Sequence, residues 1–123
     1  MYIPLKSNNL TLRYAECLGL DVAVDQWEPA DPRLVDIELE LNVGWSDWDN
    51  GFENTFFVRA TSNDLRKRSS KKERWTIWFE EFSWIFVKAE ILKRIAGCER
   101  GTWKESFAEL KQRFCWYYEG SSW

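Results

Sequence analysis

The last third of the chain, residues 83–119, constrains the fold most, because it predicts two consecutive helices followed by a strand. Apolar residues recur at helical spacing over residues 84–96, and charged residues lie on the opposite side. Ser83 is placed to act as the N-cap of this helix. Gly97 is expected to end the helix in the left-handed conformation.

A second helix is predicted directly after the first. Thr102 and Glu105 have the spacing of a capping box, in which the threonine oxygen accepts from the Glu105 amide and the carboxylate reaches back to the cap amide. The apolar period then changes from 3.6 to 2 over residues 114–119, which predicts a strand. Such a unit cannot bury its own apolar surface, so a sheet is expected beneath it.

The clearest strand is residues 35–43, where apolar and polar residues alternate throughout. Asn50-Gly51 favours a two-residue type I′ hairpin loop after it. That loop would place Leu41 opposite Ala60, whereas a looser loop across residues 44–51 would shift the register.

Two further segments alternate as strands. Residues 10–18 place Leu10, Leu12 and Tyr14 on one side, and residues 74–82 place Trp78 and Glu80 on the side opposite their apolar residues. The predicted fold class is α+β, with an antiparallel or mixed sheet of about five strands, two helices packed on one face, and the order β-β-β-β-α-α-β.

Composition limits the chemistry. The 123 residues are expected to form a single domain spanning 1–123. There is no histidine, and the three cysteines have no paired spacing, so neither a metal site nor a Cys-His or Ser-His-Asp arrangement is predicted. No phosphate-binding or dinucleotide-binding glycine motif occurs either. The sequence therefore predicts no catalytic residues, no cofactor and no enzyme.

Charge and hydropathy bear on partners and location. The net charge of −3 and the isoelectric point near 5.1 argue against direct nucleic-acid binding and permit a basic protein partner. No apolar run reaches the length of a bilayer span, and residues 1–9 lack the order of a signal peptide. No membrane association and a cytoplasmic location are expected.

Four short motifs resemble one family of bacterial proteins. They are EPADP at 28–32, TSNDL at 61–65, CERGTW at 98–103 and FCWYYE at 114–119. In this order they resemble the immunity protein 8 family of polymorphic-toxin and contact-dependent inhibition systems, over about residues 21–119.

The resemblance implies a binding function. It implies an antitoxin in the bacterial cytoplasm that binds the C-terminal domain of a cognate toxin, commonly a basic nuclease, and blocks its active site. Two alternatives stay open: a carbohydrate-binding module that uses exposed tryptophans, and a phage-type inhibitor that mimics nucleic acid. The oligomeric state is left open.

Two candidate partner-binding regions follow from the pattern. The first is the polar side of the predicted sheet, which is either a contact surface or an ordinary solvated sheet face; it carries Asp36, Glu38, Glu40, Trp78 and Glu80. The second is the hairpin loop, which carries Trp45, Asp47, Trp48, Asp49 and Glu53. The acidic spacing in this loop does not match an EF-hand, because Gly51 stands fifth and Val58 twelfth.

Overall fold

The computed structural model describes residues 10–45, 53–68 and 75–119. These residues form five strands and two helices in the predicted order. The elements are β1 (Leu10–Glu16), β2 (Asp36–Trp45), β3 (Glu53–Ser62), β4 (Thr76–Phe79), α1 (Trp84–Cys98), α2 (Trp103–Arg113) and β5 (Cys115–Trp116). Short 3₁₀ turns follow β3 and β5, at Asn63–Arg68 and Tyr117–Glu119.

The sheet is mixed, and its strand order is β1-β2-β3-β4. β1, β2 and β3 are antiparallel neighbours, whereas β4 runs parallel to β3. β5 pairs antiparallel with β3 at Phe56 and Phe57. The α+β class and the mixed sheet are confirmed.

Both helices pack on one face of the sheet, as predicted. α1 contributes Val87, Ile91, Ile95 and Cys98, which recur at helical spacing and are all buried. α2 contributes Leu110 from its buried side. Sheet residues of the same core are Leu39, Leu41, Val43, Phe56, Val58, Ala60, Ile77 and Phe79.

The register between β2 and β3 differs from the one predicted for a two-residue Asn50-Gly51 loop. Leu41 pairs with Phe56 rather than with Ala60, a shift of four positions. Asn50 and Gly51 lie outside the described residues. Because side chains alternate with a period of two, an even shift leaves every residue on its predicted face.

A bulge in β1 makes the prediction for Tyr14 wrong. The register shifts between Leu12 and Tyr14, so the alternation of side chains reverses there. Leu12 packs against the core, as does Ala15, while Tyr14 lies on the other face and is 42% exposed.

The helix ends are partly as predicted. The Ser83 hydroxyl accepts from the Phe86 amide at 3.4 Å and caps α1. The prediction for Gly97 is wrong, because α1 continues to Cys98 and Gly97 is not in the left-handed region. Instead, the Arg100 guanidinium donates to the Gly97 carbonyl at 3.0 Å and satisfies an orphan acceptor of the last turn.

Thr102 caps α2. Its hydroxyl oxygen accepts from the Glu105 amide at 3.1 Å. The Glu105 carboxylate, however, accepts from the Thr102 hydroxyl at 3.2 Å, whereas the capping box was expected to join it to the cap amide.

Candidate partner-binding surface

The sheet face opposite the helices carries a row of carboxylates, and we call it the acidic face. It is defined by Asp36, Glu38 and Glu40 of β2 with their lateral neighbours. Asp36 lies beside Thr61 on β3, and Thr61 lies beside Trp78 on β4. Glu38 lies beside Arg59. Glu40 lies between Glu16 on β1 and Phe57 on β3. Alternation in β2 produces this face, because the odd positions Leu39, Leu41 and Val43 are fully buried in the core.

The three β2 carboxylates differ in their partners. Asp36 accepts from Arg59 at 3.3 Å and from the Thr61 hydroxyl at 2.9 Å. Glu40 accepts from the Tyr14 hydroxyl at 3.0 Å. Glu38 is exposed, and among the described residues its carboxylate has neither a hydrogen bond nor an ion pair. The Asp36–Arg59 pair cancels, so Glu38 and Glu40 leave two uncompensated negative charges.

Two neighbouring side chains respond to this charge. Burial raises the pKa of Tyr14, and its hydrogen bond to Glu40 raises that pKa further. The pKa of the half-buried Cys17 is raised first by burial and then by the charge of Glu38. Because both pKa values are raised, neither group adds negative charge to the acidic face at pH 7.

A concave site lies at one end of the acidic face, and we call it the acidic cup. It has a volume of about 270 Å³. The turn at residues 17–20 forms one wall, and β2 and Phe57 form the rest, with Asp36, Ile37, Glu38 and Glu40 as the lining residues of β2. Gly19 has a φ of 99°, a conformation that favours glycine, and so permits this turn.

The remaining predicted site residues are dispersed. Trp78 is half-buried on the acidic face, beside Thr61. Glu80 is exposed and pairs with Arg33 at 3.4 Å. Glu53 pairs with Arg13 at 3.1 Å at the start of β3.

The hairpin region is only partly described. Asp47, Trp48 and Asp49 lie outside the described residues. Trp45 lies on the helix side of the sheet and packs against the core. The centroid of its ring lies 6.3 Å from that of Trp103. The structure thus groups Asp36, Glu38, Glu40 and Trp78, and places Trp45 apart from them.

Sequence reasoning missed the wall of the cup and the contribution of Tyr14. Tyr14 was placed on the same side of the strand as Leu10 and Leu12 because no residue pattern marks the bulge in β1. Gly19 between two leucines was the available signal for the turn, since an isolated glycine after a strand often marks a change of direction.

Two observations bear on metal binding and on thiol reactivity in the described residues. Among them, no group of three or more cysteine, aspartate and glutamate side chains could hold a metal ion. Burial raises the pKa of the Cys98 thiol to about 11, so this group is not an activated nucleophile. No helix in the described part of the chain is long and apolar enough to cross a membrane.

Comparison with known proteins identifies the family. The model of the family described as immunity protein 8 matches residues 10–120 of the 123-residue chain. The chain belongs to the immunity protein 8 family. Searches of curated proteins and of solved structures gave no match.

Membership in the immunity protein 8 family implies an immunity protein that binds a cognate toxin. It favours a non-enzymatic inhibitor, in keeping with the raised pKa of Cys98. The acidic face is then the natural candidate for the toxin contact.

Proposed function

We propose that this immunity protein neutralises its cognate bacterial toxin in the cytoplasm by covering the active site of the toxin's C-terminal domain with the acidic face. The observation that supports this most is the position of the β2 carboxylates on the face opposite both helices. Only one face of such a sheet has to be buried against helices, and on the second face Asp36 and Glu38 are exposed.

A nuclease is the toxin class that fits this face best. Nuclease clefts bind a polyanion and are therefore basic, and a row of carboxylates presents the same sign of charge as the phosphate backbone. Complementary charge also speeds association at low salt. Trp78, half-buried beside the acidic row, adds the aromatic surface that binding hot spots favour.

The carbohydrate-binding alternative is disfavoured by where the tryptophans lie. Of the seven tryptophans in the described ranges, five pack against the core: Trp27, Trp45, Trp84, Trp103 and Trp116. Stacking on a sugar ring requires an open indole face, and these rings already contact protein.

The first experiment tests the function itself. The chain is co-expressed with the C-terminal domain of the secreted effector encoded by the adjacent gene. We expect a stable complex, restored growth of cells that express the toxin, and loss of its nuclease activity in vitro. An immunity function would be contradicted if the chain neither bound nor inhibited the toxin. It would also be contradicted if no such gene were adjacent and the chain inhibited an unrelated nuclease.

The second experiment tests the surface. Glu38→Lys combined with Glu40→Lys reverses two charges on the acidic face, and we expect the affinity for the toxin to fall by about a hundredfold or more. The matched control is Asp25→Lys with Glu28→Lys, which makes the same charge change on two exposed residues of the β1–β2 loop. Equal affinities of the two double variants would remove the acidic face from the interface.

A further inference from the structure

We infer that the acidic cup receives a single basic side chain, arginine or lysine, from the toxin. The inference rests on the proposed function and specifies which part of the acidic face recognises which chemical group. Its basis is a concavity that is lined by carboxylates and by apolar side chains together.

The size of the cup selects the occupant. At about 270 Å³ it lies at the lower end of the range of roughly 300–1,000 Å³ typical of pockets for small organic ligands, and one inserted side chain fills a larger share of it than of a typical pocket. A metal ion is also a poor fit. In the described residues, which include the carboxylates of the cup, no group of three or more cysteine, aspartate and glutamate side chains could hold one. A single inserted side chain is the occupant whose size suits the cup best.

The charge of the cup selects the sign of that side chain. Asp36 is paired with Arg59, so the charge that faces an incoming group comes from Glu38 and Glu40. Glu40 keeps its hydrogen bond from Tyr14, and Glu38 has no side-chain partner among the described residues. A cation placed between them gains two attractive interactions without breaking the Asp36–Arg59 pair.

The apolar lining favours a side chain over a free cation. Leu18 is 73% exposed in the free protein, and Leu18 and Leu20 both line the cup from the turn at residues 17–20. The aliphatic stem of lysine or arginine can cover such surface while its charged end lies near the carboxylates. Phe57 also lines the cup and offers a ring to the cation.

The inference can be tested without the toxin. Uniformly ¹⁵N-labelled protein is titrated with blocked glycyl-arginyl-glycine, glycyl-lysyl-glycine and, as the neutral control, glycyl-glutaminyl-glycine, at constant ionic strength. We expect saturable amide shifts for residues 17–20, Glu38 and Phe57 with the cationic peptides, and at least a severalfold smaller response with the neutral one. Equal responses to all three peptides, or shifts located elsewhere, would overturn the inference.

Binding measurements on the toxin complex separate this inference from the proposed function. We expect Glu38→Gln and Phe57→Leu each to weaken toxin binding by roughly tenfold, and Glu109→Gln, the same charge change on α2, to leave it unchanged. One arginine or lysine of the toxin, when changed to alanine, should show no additional loss in the Glu38→Gln background. If the toxin binds normally to both cup variants, the cup is not the contact while the immunity function stands; if the toxin does not bind the wild-type chain, the immunity function itself fails.

Discussion

Replacement of Thr102 by alanine tests how α2 is anchored. The Thr102 oxygen accepts from the Glu105 amide at 3.1 Å, and its hydroxyl donates to the Glu105 carboxylate at 3.2 Å. Loss of an N-cap costs about 1 kcal/mol, within a range of roughly 0.5–2. Because Thr102 and Glu105 are both exposed, water replaces part of what is lost, and the cost should not exceed about 1 kcal/mol.

The expected signal is measurable. For a chain of this size, about 1 kcal/mol corresponds to a fall in Tm of roughly 3–5 °C. Urea unfolding followed by circular dichroism should show a lower midpoint with an unchanged slope, because the surface exposed on unfolding does not change.

Two comparison variants sharpen this test. Thr102→Ser keeps the hydroxyl and should melt within about 1 °C of the wild type. Ser83→Ala removes the longer 3.4 Å cap of α1 and should cost less than Thr102→Ala. The reasoning is refuted if Thr102→Ala melts with the wild type, or if Thr102→Ser is as unstable as the alanine variant.

Three other perturbations have defined outcomes. Phe56 is fully buried among aromatic rings of α2 and the residue that follows it, so Phe56→Ala should lower the free energy of unfolding by about 3–5 kcal/mol in a urea titration. In Gly44→Ala the new methyl group would meet the guanidinium of Arg13 and displace it from Glu53, so the free energy of unfolding should fall by about 1 kcal/mol. This loss should be largely absent when Arg13 is already alanine, and additive losses in the double variant would contradict the contact. Folding raises the pKa of the Cys98 thiol from 9.0 to about 11, so the unfolded chain loses this proton at a lower pH than the folded protein. The free energy of unfolding should therefore fall as the pH rises from about 9 to about 11, by at most about 2–3 kcal/mol. Cys98→Ala should show a shallower decline over the same pH range, and parallel curves would exclude this thiol as the cause.

Periodicity predicted most of the fold because it reports which face of each element is buried. The apolar positions of β2 and β4, and the helical spacing of Val87, Ile91 and Ile95, agree with the observed burial. The polar side is less open than predicted, because Asn42 and Thr76 on that side are buried as well. One prediction that failed concerns the end of α1. Gly97 was assigned as a helix end from its residue type, yet Arg100 donates to its carbonyl and the helix continues to Cys98.

Pattern also overestimated the buried side of α1. Ile85 is 82% exposed and Leu92 is 44% exposed, although both were placed on the apolar stripe. The stripe in the sequence is wider than the surface the sheet can cover, because α1 packs through the narrow line of Val87, Ile91, Ile95 and Cys98. Apolar residue type alone does not distinguish a core position from an exposed one.

The candidate site was predictable for a reason that also limits its detail. Membership of the acidic face depends only on the parity of positions along β2, and the four-residue error in register preserves parity. Glu38 and Glu40 would therefore share a face in either register, but their lateral neighbours would differ. The cup depends on those neighbours, since Phe57 lies beside Glu40 only in the observed register and the turn at residues 17–20 forms the other wall. A partner that responds to the total charge of the acidic face depends only on which carboxylates share that face. A partner that inserts one basic side chain also depends on the shape of the cup. The charge-reversal variants and the cup variants therefore measure separate properties of the same face.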